Sequence, residues 1–122
     1  MKIDRIAAEG RNLFTGYGDG YVEVGGRRIT ASVLVSGELL DDWPVRSVAA
    51  ITEADVAAIL ETKPEIVLLG SGKGFTFPEQ ALMMPLHKLR IGVEVMDTRA
   101  ACRTFNILAQ EGRNVVAALV ID

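Results

Sequence analysis

Two regimes of hydrophobic patterning divide the chain. Up to about Trp43 the apolar positions fall in short runs of strand type. Phe14-Thr15-Gly16-Tyr17 and Tyr21-Val22-Glu23-Val24 flank Gly18-Asp19-Gly20, where glycine reaches positive φ cheaply and Asp-Gly suits the primed turns that match strand twist. Gly25-Gly26 marks a second reversal, and Arg28 to Ser36 reads as one longer strand entering the core. The pattern predicts a three-stranded antiparallel piece. Trp43-Pro44, behind Asp41-Asp42, reads as an aromatic closing the edge of that core.

From Thr52 the period changes. Thr52-Glu53-Ala54-Asp55 places a hydroxyl cap before acidic residues, and Val56, Ile59 and Leu60 repeat at helical spacing until Lys63-Pro64 stops the helix. Glu65 to Gly70 is an apolar run of buried-strand type. After a glycine-rich loop, Pro78 is placed to open a helix with Glu79 in its first turn, carrying Leu82, Met83, Leu86 and Leu89 inward. Ile91 to Met96 is another strand. Asp97-Thr98 offers a cap, and a helix over Thr98–Glu111 presents Ala101, Cys102, Phe105, Leu108 and Ala109, with Gly112 at its C-terminal end. Val115 to Ile121 supplies a last buried strand. Strands alternating with helices at this spacing predict an α/β domain with a central mixed sheet, N-terminal antiparallel strands and C-terminal βαβαβ alternation. With 122 residues this is one domain, 1–122, with 1–11 expected to be loosely ordered.

Composition narrows the chemistry more than it names it. One cysteine and one histidine exclude a disulfide framework and most histidine-based or thiolate-rich metal sites. A net charge of −3 argues against general nucleic-acid binding, and no cofactor or metal is expected. The start of the chain mixes acidic and basic residues without an apolar stretch, and no window approaches a membrane span, so the expected location is cytoplasmic.

Two segments could carry chemistry. Gly70-Ser71-Gly72-Lys73-Gly74 follows a buried strand at its carboxyl end, where α/β sheets hold ligands, and its backbone N–H groups and Lys73 could cradle an anion. It fails the Walker pattern, with Val67 at the first glycine position and Gly74 after the lysine, and it fails the dinucleotide fingerprint at Phe75. A plain strand-to-helix turn is the bland alternative. The second segment is Glu94, Asp97, Thr98 and Arg99. Two carboxylates near a helix start suit acid–base work, yet Asp97 and Thr98 equally suit capping. Arg99, Arg103 and Asn106 lie at i, i+4 and i+7 and line one polar face, open to a partner, a ligand or water. Cys102 reads as a small core residue, and His87 with Lys88 and Arg90 complements a helix C-terminus. No nucleophile–base pair with a third orienting group can be assembled.

The stretch from Gly92 through Met96-Asp97-Thr98-Arg99 and Asn106 to Leu119, together with Ser32 to Val35, Trp43 and Leu69-Gly70-Ser71-Gly72, resembles the MTH-type domain family of unknown function. Its members include a mitochondrial complex I assembly factor and an adipogenesis-associated protein. The likeness runs over nearly the whole chain from about Phe14, with Gly-Ser-Gly where relatives often carry Gly-Thr-Gly. It implies a three-layer β/α fold, no established reaction or cofactor, and a role exercised through protein contacts. The expected function is therefore a non-enzymatic interaction or assembly-factor domain with an unidentified protein partner, as a monomer or weak homodimer. The alternative is a small-molecule or anion-binding domain using Gly70–Gly74 and the start of the following helix. The candidate contact residues are Ser71, Gly72, Lys73, Asp97, Thr98, Arg99, Arg103 and Asn106.

Overall fold

A computed structural model describes residues 11–122, so the expectation for 1–11 falls, Arg11 apart, outside the described residues. Three short strands, β1 (Phe14–Gly18), β2 (Tyr21–Val24) and β3 (Arg27–Ile29), form an antiparallel sheet in the order β1-β2-β3. β4 (Val33–Val35), β5 (Leu40–Asp42), β6 (Ile66–Gly70), β7 (Gly92–Met96) and β8 (Val115–Leu119) form a second sheet in the order β5-β4-β8-β6-β7. β6 runs parallel to both β7 and β8, while β4 is antiparallel to β8 and β5, so the sheet is mixed, as a β-rich first half ahead of the alternation predicts.

The helices α1 (Glu53–Glu61), α2 (Gln80–Lys88) and α3 (Thr98–Gln110) cover this sheet. One core cluster joins Trp43, Val56, Ile59, Met83 and Leu86 to Val67, Leu69 and Ala118. The other joins Phe14, Val22, Ala101, Cys102 and Phe105 to Leu68, Ala117 and Leu119. Alternate residues of β6 and β8 thus serve opposite faces, which is why both strands are apolar throughout. The α1 start is a capping box, with Thr52 Oγ1 accepting the Asp55 N–H at 3.2 Å and Asp55 accepting the Thr52 N–H at 2.9 Å. Trp43 closes the core as expected: it is 1% exposed, and its indole N–H donates to the Asp55 carbonyl at 3.1 Å.

Three expectations fail locally. Arg28 to Ser36 is not one strand. The chain leaves the small sheet after Ile29 and enters the large one at Val33, and Ser32 stitches the junction by accepting the Trp43 N–H on its carbonyl and the Ile121 N–H on its hydroxyl. α2 begins at Gln80, with Glu79 as N-cap, so buried Pro78 precedes the helix instead of opening it. Leu89 is 65% exposed, because α2 ends at Lys88 and Arg90, with φ of 59°, turns the chain toward β7.

Candidate functional site

Because β6, β7 and β8 are parallel, their carboxyl ends meet at one edge of the sheet, where Gly70 pairs with Met96 on one side and Leu119 on the other. The crowding there explains Gly70: a Cβ would stand 2.7 Å from a Leu119 methyl and 2.9 Å from Thr98 Oγ1. Beyond it, Ser71 extends the β6–β7 ladder by donating its N–H to the Met96 carbonyl at 2.8 Å. Its buried hydroxyl bonds the carbonyls of Gly74 and Met96, which folds the loop over itself. Gly72 takes φ of +88°, and a Cβ there would press on the Asp122 carboxylate.

Thr98 ties these ends together. Its backbone N–H donates to the Gly72 carbonyl at 3.0 Å, its hydroxyl accepts the Gly72 N–H at 2.8 Å, and the same hydroxyl donates to the Val120 carbonyl at 2.7 Å. Asp97 is the α3 N-cap and accepts the Ala100 N–H at 2.9 Å. The polar stripe of α3 meets the N-terminal hairpin. Arg99 pairs with Asp19 at 2.8 Å, Arg103 donates to the Tyr17 hydroxyl at 2.7 Å, and Asn106 bonds both backbone groups of Phe14. The Tyr17 hydroxyl raises the Arg103 pKa, as an acceptor for a cation should. On the inner face, burial pushes the Cys102 thiol up to about 12, the property of an inert core residue.

Between the hairpin tip, the loop and the start of α3 lies a cavity of about 320 Å³. Five of the eight candidate residues, Gly72, Lys73, Asp97, Thr98 and Arg99, line it. Ser71 does not, and Arg103 and Asn106 border a separate cleft with Phe14 and Cys102. Tyr17, Asp19, Tyr21 and Asp122 also line the cavity and are not among the candidate contact residues read from the sequence. The Gly18-Asp19-Gly20 turn is visible in the sequence, but nothing local says that it docks beside Gly72. The cavity is of mixed charge, with Lys73 and Arg99 against Asp19, Asp97 and Asp122. Three of the loop N–H groups are engaged within the chain: Ser71 N–H by the Met96 carbonyl, Gly72 N–H by Thr98, and Lys73 N–H by the Asp122 carboxylate at 3.2 Å. Among the described residues no cluster of three His, Cys, Asp or Glu is arranged to hold a metal ion, and no helix is long and apolar enough to cross a membrane.

Comparison with known proteins supplies the context. Residues 14–120 match the model of a family described as protein of unknown function (DUF498/DUF598). The human NADH dehydrogenase [ubiquinone] 1 alpha subcomplex assembly factor 3 is 31% identical over 120 residues, covering 97% of this chain and 65% of its own length. The bovine protein of the same name is matched over 54% of its length, so the chain spans between half and two thirds of these relatives. A crystal structure of a Bordetella parapertussis protein superposes with a TM-score of 0.87 at 39% identity, covering 92% of this chain and 97% of that one. The burial pattern, the mixed sheet and these likenesses agree, and the chain belongs to the DUF498/DUF598 family, with its Mth938-like α/β fold.

Proposed function

We propose that this chain is a protein-interaction domain of assembly-factor type, acting as one domain through contacts with a protein partner and not through catalysis. The observation that carries the reading is how the polar groups at the strand ends are used. Ser71, Asp97, Thr98 and Asn106 are all engaged inside the fold, which leaves none of these four side chains poised as nucleophile or base. What reaches solvent is the cationic heads of Lys73, Arg99 and Arg103 and, on the α2 side of the sheet, the exposed ring of Phe77 with Phe75 against it. Exposed aromatic and arginine side chains are the residue types that anchor protein interfaces. The names of the assembly-factor relatives support the same reading, and a link to respiratory-complex assembly is its specific form. The solved Bordetella relative supports taking the chain as a bacterial member, and a cytoplasmic location belongs to the same proposal.

The test is native mass spectrometry of the tagged full chain recovered from its own cells after mild cross-linking. A stoichiometric protein partner is expected, lost in Arg99→Glu or Arg103→Glu while the fold is kept. Recovery of the chain without any stoichiometric protein overturns the reading.

A second reading, a small polar ligand or anion held by Gly72, Lys73, Thr98 and Arg99, is favoured by one observation: these residues converge on one concavity. Such a ligand would have to displace Asp122 from the Lys73 N–H. Asp122→Ala should then strengthen phosphate binding, measured by calorimetry, and an unchanged null titration removes this reading.

A further inference from the structure

β7 ends the five-stranded sheet, with β6 on one side and, among the described residues, no strand on the other. Its hydrogen bonds to β6 are carried by alternate residues: the Gly92 N–H donates to the Glu65 carbonyl at 3.0 Å, and the Met96 carbonyl accepts from Ser71 at 2.8 Å. Gly92, Glu94 and Met96 therefore turn their backbone groups inward, and Val93 and Val95 direct theirs to the open edge. That leaves a row of two N–H and two C=O groups, the kind of edge that proteins ordinarily cover or blunt.

On the α2 side of this edge runs a groove of about 460 Å³, lined by Phe77, Met83, Met84, His87, Val93 and Val95. Phe77 is 69% exposed and packs edge-on against Phe75, 4.7 Å between centroids. On the other face of the strand stands Glu94, exposed and in no ion pair among the described residues.

Glu94 decides what can occupy the edge. An antiparallel strand that uses all four outward groups of Val93 and Val95 places its central residue opposite Glu94, in a close pair with Cα atoms about 4.5 Å apart. A second copy of β7 in that register would set Glu94 against Glu94, which is repulsive. A foreign strand with a cation there would be attracted instead.

We propose that the open edge of β7 is a strand-addition site for a protein partner. It takes an extended antiparallel segment with Lys or Arg opposite Glu94 and an apolar residue on each side of that cation. The backbone bonds hold the segment, the flanking apolar side chains enter the Phe77–Met84 groove, and Glu94 selects the centre. This rests on the protein-contact reading above and commits it to one edge.

The test is selection of a random nine-residue peptide library on the full chain, followed by hydrogen exchange with the enriched peptide bound. Enrichment of apolar–Lys/Arg–apolar segments is expected, with at least tenfold slower exchange at the Val93 and Val95 amides. In Glu94→Lys, an exposed substitution that leaves the core untouched, the preferred central residue should become acidic. No enriched binder, a consensus indifferent to Glu94→Lys, or protection elsewhere overturns the proposal. So does a concentration-dependent dimer that protects the same two amides. If peptide selection fails while a stoichiometric partner is still recovered from cells, the edge assignment falls and the protein-contact reading stands.

Discussion

Asn106 treats Phe14 as a strand would: its carboxamide oxygen accepts the Phe14 N–H at 2.8 Å, and its amide nitrogen donates to the Phe14 carbonyl at 2.7 Å. With Phe14 meeting Phe105 edge-on at 5.2 Å between centroids, this pair fastens the hairpin to α3. Asn106→Ala removes both hydrogen bonds and should cost about 2 kcal/mol, at roughly 1 kcal/mol per bond. Urea unfolding measures it. Asn106→Asp keeps the acceptor and loses the donor, so its midpoint should fall between those of the alanine variant and the parent.

Thr98 offers a sharper comparison. Thr98→Val keeps the shape and removes a hydroxyl that serves both the Gly72 N–H and the Val120 carbonyl. Leaving two buried backbone groups unmatched should cost about 2–4 kcal/mol, while Thr98→Ser should recover most of it. Equal denaturation midpoints for the Val and Ser variants would show that packing, and not the hydroxyl, is what matters at this position.

Gly70→Ala tests crowding at the sheet edge. The added methyl would lie 2.7 Å from Leu119 and 3.1 Å from the Thr98 backbone, so overpacking of about 1–3 kcal/mol is expected. A thermal melt no lower than the parent's would mean that the three strand ends can spread apart.

Cys102 sets a pH window. Its thiol is pushed up to about 12 in the folded chain from an ordinary 9.0, because burial disfavours the thiolate. The folded state therefore holds a proton that the unfolded state gives up. The associated stability is whole below pH 9 and is lost as pH rises from there toward 12, at up to about 1.4 kcal/mol per pH unit. Cys102→Ala should abolish that part of the alkaline slope. A thiol-specific chromogenic reagent at pH 8 should label the native protein only as fast as it unfolds.

Arg99→Ala should hardly matter to stability. Its pair with Asp19 is exposed, with the two side chains 51% and 83% accessible, and such pairs contribute about 0–1 kcal/mol and weaken with salt. A folded Arg99 variant is thus a clean reagent for binding experiments.

Periodicity was enough to locate the helices and the buried strands, since Val56/Ile59, Met83/Leu86 and Ala101/Cys102/Phe105 each mark one apolar face. It misplaced Leu89, whose apolarity says nothing of where Arg90 turns the chain. It also fused β3 with β4, because the Thr30 to Ser32 break is bonded to Trp43 and Ile121, far along the chain. The candidate site was legible in the same measure. Asp97 as a cap and Arg99, Arg103 and Asn106 as one stripe follow from spacing along a helix. That the stripe meets Asp19, Tyr17 and Phe14 depends on the packing of a hairpin 80 or more residues distant, and no local signal encodes it.

The three-stranded sheet shares no ladder with the five-stranded one: its polar ties run to α3, and Phe14, Val22 and Val24 meet the large sheet only through apolar packing against residues such as Leu68 and Ala117. It behaves as a latch and not a weld. Amide exchange at Val22 and Val24 should proceed by detachment of the hairpin alone, at a lower free energy than at Leu68 or Ala117, whose release requires the whole molecule to come apart. Sequence drift at the tip around Asp19 can therefore reshape one wall of the cavity without touching the strands that keep the protein folded.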